Sequence, residues 1–197
     1  MEKKFILSFM FVVGLGLSIN AQEKGDIEYG GQIGLNLANV SGADYDVDPK
    51  IGFNVGAFAD FYINDRWSIK PKVIYDKKGF AYSDGKSNVD VKLNYVTVPV
   101  TANYHFGGTR RWYLNAGGYA GFLVGAKSED QDVKDFLNGT DFGLAFGIGH
   151  KFPISDNVKL FVEYESQVGL VNIFKDDPDS ANNARGSLNA GVVFLLD

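Results

Sequence analysis

The chain has 197 residues, 24 acidic against 19 basic side chains, a net charge of −5 and no cysteine. A chain of that balance with no basic stripe does not bind nucleic acid through its phosphates. Its 45% hydrophobic and 14% aromatic content excludes a disordered chain, and the missing cysteines exclude both a disulfide framework and a lipid-modified cysteine.

The first element is MEKKFILSFMFVVGLGLSINAQ. Lys3 and Lys4 precede an apolar stretch from Phe5 to Ile19, and small Ala21 is followed by a polar run. That layout predicts a secretory signal peptide over 1–21, cleaved between Ala21 and Gln22. The apolar stretch is short for a membrane anchor, and no later stretch is long enough for a transmembrane helix. Residues 22–197 fit one domain.

From there the pattern is alternation. In IGFNVGAFADFY (51–62), Ile51, Phe53, Val55, Ala57, Ala59 and Phe61 fall on one face. Strict alternation predicts a β-strand with one apolar and one mostly polar face. The pattern recurs, giving eight strands at 28–39, 51–62, 67–80, 92–106, 111–126, 139–152, 158–172 and 185–196. They are longer than the usual soluble strand of about 5–6 residues and suit a bilayer crossing of about 9–11 residues. The connections alternate between long (40–50, 81–91, 127–138, 173–184) and short (63–66, 107–110, 153–157). Membrane barrels have short periplasmic turns and longer outer loops, whereas Greek-key crossings have no reason to alternate. The expected fold is an all-β, eight-stranded, antiparallel up-and-down transmembrane barrel.

The polar faces combine charges with glycines. An eight-stranded barrel has an interior just wide enough for side chains. Asp60, Lys70, Lys72, Asp76, Arg111, Asp141, Lys151, Lys159, Glu163 and Glu165 are expected to form a lumen network of ion pairs that closes the barrel. An ion path is the rival reading. Trp67 and Trp112 each follow a short turn on the apolar face, the place of an aromatic girdle. Pro71 and Pro99 fall inside strands of a sheet without edges, and a bulge or local break is expected at Pro99.

Five segments also follow a family pattern in order: GLNLANVSG (34–42), GFNVGAFADFYINDRWSIKPKVIYDKKGF (52–80), LNYVTVPVTANYHF (93–106), WYLNAGGYAGFLVGAK (112–127) and DFGLAFGIGHKF (141–152). Together they resemble the PorT-like outer-membrane β-barrel domain family, with an architecture similar to the small OmpX-type barrels. Pro99 falls where that family often has an Ile-Pro or Val-Pro pair. Such barrels commonly end in an aromatic residue read by the barrel assembly machinery, and this chain ends VVFLLD. The resemblance implies outer-membrane lipid and that machinery as partners. It assigns no activity, and the secretion role in the family's name is not carried over.

Little else carries chemistry. His105 and His150 are placed beside short turns, on the periplasmic side, so a Ser-His-acid site like that of outer-rim barrel enzymes is not expected. The acidic stretches 44–49, 128–132 and 175–180 lack EF-hand spacing and read as solvated loop charge. Asp179-Ser180-Ala181 resembles an O-glycosylation acceptor. The expectation is a monomeric barrel in the outer membrane, without catalytic residues, metal or cofactor, presenting acidic loops to an unknown ligand or protein. The alternative is a soluble periplasmic barrel around a small apolar ligand.

Overall fold

The computed structural model describes residues 26–42, 47–83, 88–128, 131–175 and 181–196. The signal peptide and its Ala21–Gln22 site lie outside these residues, as do most of the acidic loop stretches and Asp179-Ser180.

Eight long strands form the wall. They are β1 (Ile27–Ser41), β2 (Val47–Tyr62), β3 (Trp67–Ser83), β4 (Asn88–Phe106), β5 (Trp112–Ser128), β7 (Thr140–Pro153), β8 (Val158–Asn172) and β9 (Asn182–Leu196). A two-residue β6 (Gln131–Asp132) extends β5 as a small hairpin, followed by a 3-10 turn at Lys134–Phe136. Each long strand pairs antiparallel with its neighbours in chain order, and β1 pairs with β9 over fifteen positions from Ile27↔Leu196 to Ser41↔Asn182. The sheet is therefore closed, which leaves no edge to aggregate.

The short turns are locally determined. The Asn64 side chain accepts backbone N–H bonds from Arg66 at 2.9 Å and Trp67 at 3.0 Å, an Asx turn. The second turn uses Gly107 at φ 83° and Arg110 at φ 52°. Arg110 then reaches Asp65 of the first turn at 2.5 Å.

All eight expected strands are present, and most run further toward the long-loop end. The reason is an apolar cluster there. Val40, Phe80, Val91, Leu93, Tyr95, Leu123 and Ala126 pack with Leu137, Ile173 and Ala181 from the connections, and Val47, Tyr82, Val133 and Phe174 pack against them. Residues read as loop are thus held as sheet by apolar burial. The lumen is polar for most of its length and apolar at this end.

The prolines behave as their chemistry demands. The β3–β4 ladder passes from Pro71↔Val100 to Ile74↔Thr97 with no pairing recorded between, beside Pro99. The β2–β3 ladder passes from Phe58↔Lys72 to Phe61↔Ile69, leaving a gap beside Pro71. In both places the register resumes unchanged. Each proline lacks the N–H its ladder would use, so the break is local and needs no extra residue. The irregularity in the β4–β5 ladder lies instead at Asn94/Tyr95.

Candidate functional site

Alternation sorts every strand into an outer and an inner face. Outward residues are apolar and exposed: Ile33 (67%), Leu35 (66%), Phe53, Val55, Val73, Leu144, Phe146, Val162 and Leu188 among them. Inward residues are polar and buried. Asn54, Asp60, Lys70, Lys72, Asp76, Glu163 and Glu165 are each at most 1% exposed. A soluble barrel with an apolar core would require the reverse.

The short-turn end of the outer face carries a row of rings in contact. Trp67 lies 4.9 Å from Tyr104, Tyr104 6.5 Å from Phe106, Phe106 6.4 Å from Trp112, Trp112 4.6 Å from His150 and His150 4.4 Å from Phe152. Both tryptophans belong to this row. His150 is part of that row. His105 points inward, bonded through Nε2 to Ser68 Oγ at 3.0 Å and stacked on Tyr62 at 4.9 Å.

Inside, the described residues place six carboxylates (Glu28, Asp60, Asp76, Asp141, Glu163, Glu165) and six cations (Lys70, Lys72, Lys78, Lys151, Lys159, Arg185) along the lumen. They alternate in sign. From the short-turn rim, Lys159 bridges Glu28, which bridges Lys151 at 2.5 Å, which bridges Asp60 at 3.0 Å. Further in, Lys70 reaches Glu163 at 3.6 Å, and Glu163 pairs with Lys72. Lys72 pairs with Glu165 at 2.7 Å, and Glu165 with Arg185. Arg185 meets Asp76 at 2.6 Å, Asp76 meets Lys78 at 3.9 Å and Lys78 meets Asp141 at 3.5 Å. The one break lies between Asp60 and Lys70, and each half is neutral. At the break the Lys70 ammonium sits over Tyr113 at 4.5 Å and Phe58 at 4.9 Å, which supplies cation–π attraction.

Neutral donors add to the pairing of Glu163, Asp141 and Asp76, although Asp141 Oδ1 keeps no partner among the described residues. Glu163 accepts hydrogen bonds from the Tyr113 hydroxyl at 2.9 Å and the Asn115 amide at 3.1 Å. Asp141 accepts from the Tyr119 hydroxyl at 3.1 Å and the Asn183 amide at 2.9 Å. Asn36 donates to Asp76 at 2.6 Å. A buried charge needs such pairing because desolvation alone costs several kcal/mol per ion. Two inward glycines make room for rings. A Cβ on Gly143 would come within 2.6 Å of the Tyr119 ring, and one on Gly191 within 2.6 Å of the Phe161 ring.

Of the ten lumen residues expected from sequence, nine line the interior. Arg111 does not. It precedes β5, is exposed, and contributes only its carbonyl, which accepts the Lys151 backbone N–H at 2.9 Å. The pairing of β5 starts at Trp112, so extending the alternation one residue into the turn misplaced it. Glu28, Lys78 and Arg185 were missing from that set. Their signal was available, since Glu28 is in phase with Gln32 and Asn36, and Arg185 with Ser187 and Asn189. Among the described residues no group of three His, Asp or Glu side chains gathers to hold a metal ion.

Residues 20–175 match the family model described as outer membrane protein beta-barrel domain. Among solved structures, OprG from Pseudomonas aeruginosa superposes with a TM-score of 0.55 at 12% identity, covering 88% of this chain and 97% of its own. Neisserial surface protein A gives 0.52 at 21% identity, covering 84% and 96%. Ail of Yersinia pestis gives 0.48 at 19% identity, covering 87% and 100%. At these identities the likeness to OprG and Neisserial surface protein A is one of fold. No curated protein matches the sequence. With an apolar outer face, a row of rings at the short-turn end and a closed eight-stranded wall, the chain belongs to the outer membrane protein β-barrel domain family.

Proposed function

We propose that this protein is a monomeric, non-conducting outer-membrane barrel with a structural or interaction role, presenting acidic loops outside the cell. The observation that carries the reading is the alternating chain of twelve lumen charges, neutral in sum and paired at every link but one. An ion entering such a lumen must break buried ion pairs, and the apolar cluster at the loop end adds a second obstruction. The acidic loops rest on the sequence at 44–49, 128–132 and 175–180, and their ligand is a protein or solute outside the cell. No catalytic group, metal or cofactor enters this reading. His105 is buried beside Ser68 inside the barrel, away from any substrate.

Export through a signal peptide cleaved after Ala21, insertion by the barrel assembly machinery and membership of the PorT-like group complete the proposal. They rest on the N-terminal layout and the ordered segments of the sequence. The test is to isolate the outer-membrane fraction and run it boiled and unboiled on a semi-native gel. The folded barrel is expected there, with a mobility shift on boiling and Gln22 as the N-terminus by mass. Planar bilayers then decide the lumen. Current at background supports the closed barrel, and stable unit conductance overturns it.

A further inference from the structure

The outer face of β3, β4 and β5 changes character abruptly toward the loop end. Tyr75, Val96 and Phe122 form an apolar row of cross-strand partners, and beyond it on these strands only Val124, at the β4–β5 irregularity, is apolar and exposed. The next row up pairs Lys77 with Asn94, and the next sets Gly79, Lys92 and Lys127 side by side. Lys92 and Lys127 stand directly opposite each other, and both are exposed. Like charges so placed on neighbouring strands repel. Among the described residues neither forms a direct ion pair, although the Asp90 carboxylate attracts Lys92 through space, whereas every charge in the lumen is bridged. Lys77 lies on the diagonal from Lys92, with its ammonium 5.1 Å from the Phe53 ring. The Asn94 side-chain oxygen between them has no hydrogen-bond partner.

Three carboxylates border the group. Asp90 is bridged to Lys50 at 2.5 Å. Asp132 stands across from Lys127 in β6 and accepts the Lys134 backbone N–H at 2.9 Å. Asp48 shares a row with Asp90 through Ala81, on the loop side of the lysines. The membrane side of Lys77, Lys92 and Lys127 has no acid among the described residues.

A second feature lies on the same two strands. Val98, Val100, Gly118 and Ala120, with the Tyr119 backbone between them, line a shallow trench of about 360 Å³ on the lipid-facing surface. Val98 is six residues from Lys92 along β4. At about 3.3 Å per residue and a tilt of roughly 45°, that separation is about 14 Å of depth. Half the hydrocarbon thickness is about 15 Å. Tyr104, in the ring row at the short-turn end, is twelve residues from Lys92, about 28 Å of depth at the same tilt against a hydrocarbon thickness of about 30 Å, which sets the lysines at the outer headgroup level and the trench near the midplane.

We propose that this face binds a phosphate-bearing lipid of the outer leaflet, its phosphate between Lys92, Lys127 and Lys77 and one acyl chain in the trench. The anionic headgroup relieves the lysine–lysine repulsion, and the chain fills a hollow where bulkier neighbours would leave lipid poorly packed. The occupant is a lipid because the two halves of the site are spaced as its own two halves are.

The test uses the full mature chain in phosphatidylcholine nanodiscs containing a minor fraction of phosphatidic acid or lipid A, with bound lipid read by native mass spectrometry. A phosphomonoester lipid is expected to be retained over phosphatidylcholine. Lys92→Gln and Lys127→Gln should each weaken retention roughly fivefold, and the pair roughly 30-fold. Gly118→Leu fills the trench and should weaken retention of the long-chain lipid but not of its dihexanoyl analogue. All three side chains point away from the lumen, so the heat-induced gel shift checks that each variant still folds. Unchanged retention in the double lysine variant, unchanged retention in Gly118→Leu, or equal retention of phosphatidylcholine would each overturn the proposal.

Discussion

Glu163 shows what a single lumen residue carries. It is fully buried, pairs with Lys72 and Lys70, and accepts hydrogen bonds from Tyr113 and Asn115. Replacing it by Gln keeps the shape and removes the charge, leaving two buried ammonium groups short of a partner. Breaking a buried pair in this way costs about 3–5 kcal/mol, whereas an apolar replacement of the whole pair is often neutral. Glu163→Gln is therefore expected to lower the urea midpoint of the barrel refolded in lipid vesicles. Glu163→Leu combined with Lys70→Met, which removes the lysine whose carboxylate partner is Glu163 and leaves Lys72 with Glu165, should recover a large part of that loss. Equal midpoints for wild type and Glu163→Gln would show that Glu163 holds no buried charge. Gly191 tests packing at the same scale. Its absent Cβ is the space beside the Phe161 ring, so Gly191→Ala overpacks the lumen and should cost about 1–3 kcal/mol in the same assay.

At the scale of the strand, the outer and inner faces obey different solvents. Val55 lies near the middle of β2 with its side chain in lipid, while Ile51 lies nearer the loop end and is 77% exposed. Arginine at the midplane costs about 2–4 kcal/mol and near an interface about 0–1. Val55→Arg should thus reduce folding efficiency into vesicles far more than Ile51→Arg. Similar costs at the two positions would place the bilayer elsewhere along β2. This alternation was legible in the sequence because period two is a property of the chain itself, as Ile51 to Phe61 illustrates. What escaped were features fixed by the third dimension. The strand extensions at Tyr82 and Val89–Val91 depend on an apolar cluster assembled from β1, β3, β4, β5 and two connections, which no local window contains. Arg111 was misassigned because strand pairing, not residue type, decides where alternation starts. The partners within the charge chain, such as Arg185 with Asp76, are 109 residues apart and follow from closure of the sheet.

Closure makes the two obstructions of the proposed sealed lumen act in series. The ion-pair chain fills the polar length from Glu28 to Asp141, and Leu93, Tyr95, Phe80, Leu123 and Leu137 cap it at the loop end. An ion crossing the barrel must pass both, so removing one layer leaves the other intact. Leu93→Ala with Leu137→Ala opens space in the cap. It should lower stability, since each buried Leu→Ala costs about 2–5 kcal/mol, yet leave the planar-bilayer current at background. Arg185→Ala with Glu165→Ala removes an oppositely charged pair from the middle of the chain and empties that level. Alone it should also leave the current at background, because the cap still excludes hydrated ions. Even the four substitutions together should leave the current at background, because Glu28, Lys151, Asp60, Lys70, Glu163 and Lys72 still fill the levels below in series. Current from the cap variant alone would mean that the charge chain does not seal the barrel. Current from the charge variant alone would mean that the cap does not.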